Sequence, residues 1–337
     1  SKKKLSLMHP MFNGLDIATL ILIVVGLIGG LLCLAYLLRF HTRADKSSLL
    51  LLLLRDFDSP WLVRAALCVL FIVWLLGHFV RLPSLRAGHG PLRSLALSSQ
   101  ANLCKLHLVC SLGLVEPSTL LIILFLVQTS LESPSPSSSA SSSRSLSTRS
   151  VTSRVLPRVG LSCLPVFTLH LVLALLGHRK TFVDLFPLYF TRSHEYVLVG
   201  TDDKDEDKAQ VVLCTTPLFN VLASACFSAF FVAYFAFLSS RLVRGVINRK
   251  LRLRFCTMAL LILTLVPLHV IFLGIPVRMD PTLTAFEMLM FLRFLALLFC
   301  LVAAITVLVI MPVADATAVC YFFEKRDEAW QSVVIKE

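Results

Sequence analysis

Charge is scarce in this sequence: Asp, Glu, Lys and Arg make up 15% of its 337 residues, and hydrophobic residues make up 57%. A soluble domain carries about 25% charged residues, so with a mean hydropathy of +0.83 the soluble globular class is excluded. Metal spacing is missing as well. The ten cysteines form no Cys-x-x-Cys and lie mostly inside apolar runs, so no zinc site is expected. His78, His107, His170 and His269 occur singly, with no His-x-x-x-His or His-Glu-x-x-His, so a zinc hydrolase would lack converging ligands. Gly-x-Ser-x-Gly and Gly-x-Gly-Asp are also absent. No enzyme activity and no cofactor are expected on these grounds. There is no internal repeat, which argues against the duplicated halves of many transporters. The chain opens SKKKL without Met, which suggests that the true N-terminus is missing. No signal peptide is visible, and the first apolar run is long enough to stay as an anchor.

What is present is apolar and long. Seven runs satisfy the length rule for membrane helices, at about 15–39, 61–82, 105–131, 156–178, 217–242, 255–275 and 283–312. They predict an all-α integral membrane protein: a seven-helix bundle over residues 1–323, a cytosolic tail over 324–337, and a disordered Ser-rich loop over 132–154. Runs three and four carry Glu116-Pro117 and Pro165, which neighbouring helices must accommodate. Leu49–Leu54, six leucines in a row, are too few to cross and are expected at the interface or as a helix extension.

The net charge of +12 is spread over short loops between apolar runs. The positive-inside bias and anionic lipid account for that pattern without nucleic acid. Arg241, Arg244, Arg249, Lys250, Arg252 and Arg254 fall within residues 241–254 with no acid, so loop five is placed in the cytosol. The C-terminus goes with it, and the N-terminus lies outside or in a lumen, in the plasma membrane or an endomembrane. The serines of loop three stand beside arginines and suit phosphorylation, or form a simple linker. In loop four, the β-prone runs HEYVLV (194–199) and AQVVLC (209–214) flank GTDDKDEDK, which reads as a short β-hairpin over the outer mouth or as an acidic solvated loop. Beyond Pro312 an interfacial helix is expected, with Cys320 as an acylation candidate.

The seventh run organises the rest. Arg293 lies deep within it, and a charge at that depth needs a partner. Glu116 of run three lies at matching depth from the same side. With His269 and Glu287, and with Asn220 and Tyr234 as walls, the pair sketches a polar pocket in the outer half of the bundle. The alternatives are a ligand or ion pocket and a purely structural clamp. Cys104 and Cys214 both fall on the oxidising side of this topology and form a disulfide candidate, the alternative being two free thiols.

Residues 101–131 (ANLCKLHLVCSLGLVEPSTLLIILFLVQTSL), 211–254 and MPVADATAV (311–319) resemble an uncharacterised plant family of seven-helix membrane proteins that are receptor-like candidates. The resemblance implies the fold and no particular ligand. It lacks the Asp/Glu-Arg-Tyr and Asn-Pro-x-x-Tyr switches of animal rhodopsin-like receptors, which leaves G-protein coupling without a motif. The Cys104–Cys214 arrangement is similar to the helix-three-to-loop bridge of those animal receptors. The expected function is a receptor-like or signalling membrane protein in the lipid bilayer, with a cytosolic protein partner at loops three and five. A small-solute or ion transporter and a membrane scaffold are the alternatives.

Overall fold

The computed structural model describes residues 2–46, 61–82, 96–131, 144–176, 187–191, 193–200, 208–246, 248–280, 283–318, 321 and 325. Helix α1 is Lys2–Lys46 and α2 is Trp61–Arg81. Helix α3 is built from Leu97–Cys110, a π turn at Ser111–Val115, and Glu116–Leu131. Helix α4 is Arg144–Leu176, α5 is Leu218–Gly245 and α6 is Arg249–Gly274. Helix α7 begins as Thr284–Ile305, passes through a π turn at Thr306–Ile310 and continues to residue 318. Strands β1 (His194–Gly200) and β2 (Lys208–Cys214) pair antiparallel, with His194 opposite Cys214 and Gly200 opposite Lys208.

Seven spans are long and apolar enough to cross a membrane: Gly14–Thr42, Trp61–Arg81, Leu97–Gln128, Val155–Leu176, Leu218–Gly245, Arg249–Arg278 and Thr284–Ala318. This suggests an integral membrane protein. The outward faces agree, with Phe230 at 78% and Leu32 at 66% exposure, beyond what a water-soluble surface tolerates over so wide an area. Helix α3 is the central rod: 72% of its most apolar stretch is buried, against 11% for α1. It packs on α2, α4 and α5, while α7 packs on α6 and α1. Backbones come close at two glycines. A Cβ at Gly30 of α1 would lie 3.0 Å from Ile72 Cγ1 of α2, and one at Gly113 of α3 would lie 3.2 Å from Phe167 Cα of α4.

Several boundaries differ from the sequence expectation. Helix α3 starts at Leu97 and not at residue 105, because Ala101 and Cys104 bury against Val212 of β2. Helix α4 starts at Arg144, inside the segment expected to be disordered. No proline interrupts 144–156, and Ser, Arg, Leu and Val all tolerate helix. Most of the basic loop five is helix end: Arg241 and Arg244 close α5, and Arg249, Lys250, Arg252 and Arg254 open α6. The residues after Pro312 continue α7 as far as 318, with Val313 and Ala316 buried in the bundle and not lying on an interface. Leu49–Leu54, the loop-three serines at 132–143, Cys320 and the tail 326–337 lie outside the described residues.

Candidate functional site: a buried charge network under a strand-capped cleft

Proline sets the local geometry of α3. Pro117 has no N–H to bond the Gly113 carbonyl, so the α ladder cannot pass straight through. The chain takes a π turn, and the Glu116 N–H bonds the Ser111 carbonyl five residues back. In an α-helix residues five apart point about 140° from each other. The π turn brings Ser111 and Glu116 onto one face, and Ser111 Oγ donates to Glu116 Oε1 at 3.1 Å. Helix α7 repeats the device: its π turn Thr306–Ile310 ends two residues before Pro312.

Glu116 ties three helices together. Arg293 Nη2 of α7 donates to Oε1 at 3.1 Å, and His269 Nε2 of α6 lies 3.2 Å from Oε2. His269 Nδ1 lies 3.2 Å from the Arg293 carbonyl oxygen. Both ring nitrogens therefore face acceptors. A neutral imidazole has one N–H and satisfies one of them at a time, whereas the imidazolium satisfies both. Glu116, His269 and Arg293 are all buried, Arg293 to 3% exposure, and its Nε has no hydrogen-bond partner. A cavity of about 20 Å³ beside Glu116 and His269 is lined also by Ser224 and Ser228.

Asn220 is buried, but in a different pair: its Nδ2 donates to His170 Nδ1 at 2.8 Å. That leaves the ring proton on His170 Nε2, which has no partner. Tyr234 is not a pocket wall. At 47% exposure it sits on the outward face of α5, about one helical turn from the exposed Phe230 and Phe237. Glu287 lies apart from the Glu116 network, in a cleft of about 60 Å³ between α1, α2, α7 and β2. Leu15, Asp16 and Thr19 line it from α1, and His78 and Arg81 from α2. Helix α7 adds Phe286, Glu287, Met290, Phe291 and Phe294, and Val212–Cys214 of β2 close one side. Cys104 and Cys214 are joined as a disulfide with Cα atoms 5.3 Å apart, which pins β2 to α3 beside this cleft.

The cleft and the network meet on α7. Phe294 lines the cleft and stacks on Trp74 at 5.4 Å between ring centroids, while its neighbour Arg293 holds Glu116. A smaller cavity of about 10 Å³ touches Arg81 and Cys214 on one side and Arg293 and Ser111 on the other. The sequence reading does not single out Asp16, His78, Arg81 or Ser111. For the first three the signal is depth: each stands near the same end of its run as Cys104 and Glu287. Ser111 is signalled only by its position five residues before an X-Pro-interrupted helix position. Among the described residues no group of three or more His, Cys, Asp or Glu side chains is placed to hold a metal ion.

A family model described as "Uncharacterised conserved protein UCP031277" matches residues 6–324 of the chain. No curated protein matches it.

Proposed function

We propose that this chain, which belongs to the family of uncharacterised conserved protein UCP031277, is a receptor-like membrane protein that senses a small polar ligand in the strand-capped cleft. The observation that carries this reading is the adjacency on α7: Phe294 faces the cleft and Arg293 faces the Glu116 network. A ligand that displaces Phe294 from Trp74 must turn the helix segment bearing Arg293. Three helices share that network, so the turn reaches the far ends of α3, α6 and α7. There Arg254 of α6 pairs with Asp315 of α7 at 3.2 Å, and Tyr36 of α1 meets Thr317 at 3.3 Å.

In this reading the seven spans cross the bilayer with the disulfide-bonded end outside or in a lumen, where disulfides persist. The basic ends of α5 and α6 face the cytosol, as the positive-inside bias requires, and offer a surface for a cytosolic partner. The test needs no ligand. Spin labels attached through non-cysteine chemistry at residues 245 and 318, both exposed at the far end, report the spacing of α5 and α7. Phe294→Ala is expected to change that distance distribution in the full chain in nanodiscs. An unchanged distribution counts against coupling.

A second reading is ion or small-solute transport through the core. It is favoured by the cavities on both sides of the network, one next to Arg293 and one next to Glu116 and His269. Flux into proteoliposomes that is abolished by Glu116→Gln supports it, and a sealed vesicle under all gradients removes it.

A further inference from the structure

The cleft holds an unbalanced charge. Asp16 and Glu287 bring two carboxylates and Arg81 one guanidinium. Asp16 and Arg81 each have a partner. The Glu287 carboxylate has neither a hydrogen bond nor an ion pair among the described residues, although it lies on a helix long and apolar enough to span a membrane. Glu287 stands in the first turn of α7, at the end of its span, so what marks it is the lack of a contact partner in a cleft that carries two carboxylates against one guanidinium.

A second observation comes from α2. His78 is 7% exposed, lines the same cleft, and its Nε2 has no hydrogen-bond partner. Its ring is held in place between Trp74, at 4.6 Å, and Phe294, at 5.1 Å, so the nitrogen cannot readily turn to another partner. The third wall is aromatic: Phe286, Phe291 and Phe294. Aromatic rings offer apolar contact to a short alkyl chain.

We infer that the cleft is a binding site for a small primary ammonium compound, its nitrogen held between Glu287, Asp16 and His78 Nε2 and its short alkyl part against Phe286, Phe291 and Phe294. An ammonium has three N–H donors, and these are three acceptors: a carboxylate keeps lone pairs after one ion pair, and His78 Nε2 accepts when the ring proton sits on Nδ1, the tautomer that the bound ammonium selects. One positive charge cancels the excess of the cleft. Size restricts the alkyl part. At about 10–15 Å³ per water-sized site, the volume of about 60 Å³ takes only a handful of heavy atoms. This deepens the sensor reading above and rests on it for its consequence, though not for the binding itself.

The test uses the full chain in nanodiscs with three probes of matched size: propylammonium, propan-1-ol and propionate. Thermal unfolding is followed against probe concentration. Propylammonium is expected to raise Tm saturably, and the other two are not. Glu287→Gln is expected to raise the half-saturating concentration at least tenfold, while Glu287→Asp, which keeps the charge, retains the response. Glu287 makes no hydrogen bond among the described residues, and in Glu287→Gln the lost attraction to Arg81 is offset by the lost repulsion from Asp16, so the Gln variant without probe is expected to melt close to the wild-type temperature. No saturable response to propylammonium, an equal response in Glu287→Gln, or a saturable response to propionate overturns the inference. If propylammonium binds through Glu287 but leaves the labels at residues 245 and 318 unmoved, the cation site stands and the sensor reading fails. If the neutral or anionic probe moves those labels, the sensor reading stands and the cation assignment fails.

Discussion

Glu116 is where the most depends on the fewest atoms. Its two oxygens receive Ser111, Arg293 and His269 from α3, α7 and α6. Removing one partner of a buried ion pair strands the other and costs about 3–5 kcal/mol. Glu116→Gln and Arg293→Gln are each expected to lower Tm and folded yield. The double variant is expected to be milder than the sum, because neither side then keeps an unpaired charge. Additive losses in a double-mutant cycle on detergent-solubilised protein would show that the two do not act as a pair. Ser111→Ala removes one hydrogen bond to a charged acceptor and is expected to cost less, about 1.5–3 kcal/mol.

At the scale of the element, two prolines and one glycine shape the bundle. Pro117→Ala restores an N–H that can bond the Gly113 carbonyl, so the π turn loses its cause. Ser111 is then expected to rotate away from Glu116, and adding Ser111→Ala to Pro117→Ala is expected to cost nothing more. That non-additivity, read from melting curves, is the check. Gly113 lets α3 approach α4, and the atom its Cβ would meet is the backbone Cα of Phe167, which cannot swing aside. Gly113→Val is expected to destabilise by about 1–3 kcal/mol. Gly160→Val on α4 is a suitable control, since nothing lies within 4 Å of its Cβ position. If both valine variants melt alike, close packing at Gly113 is not what holds α3 against α4.

For the molecule as a whole, the strap and the orientation are linked. The Cys104–Cys214 bridge closes a separation of 110 residues. The chain-entropy model assigns such a loop about 4–5 kcal/mol, an upper value for a chain already confined to a bundle. Reductant is expected to lower the wild-type Tm and to leave a Cys104→Ser/Cys214→Ser protein unaffected. Glycosylation acceptors placed between β1 and β2 and between α5 and α6 test the orientation. A glycan is expected on the first and none on the second, and the reverse pattern would turn the proposed topology over.

The seven apolar spans were legible in the sequence because length and hydropathy are local properties, summed along the chain without regard to neighbours. So was the need of Arg293 and Glu116 for partners, because burying a lone charge is costly whatever surrounds it. Their depth could be counted at a fixed rise per residue, which put His269 in the same outer half of the bundle. Angle around the helix axis is not a local property once a ladder changes step. The π turns before Pro117 and Pro312 shift every later residue around its helix. No count at 100° per residue could place Ser111 against Glu116 or carry α7 past Pro312 into the bundle. Tyr234 was assigned by depth and lost by angle, since only packing decides which face of α5 turns outward. Glu287 was assigned to the wrong neighbours for the same reason. Its true surroundings, Asp16, His78, Arg81 and β2, come from parts of the chain up to about 270 residues away, and only the tertiary structure brings them to one cleft.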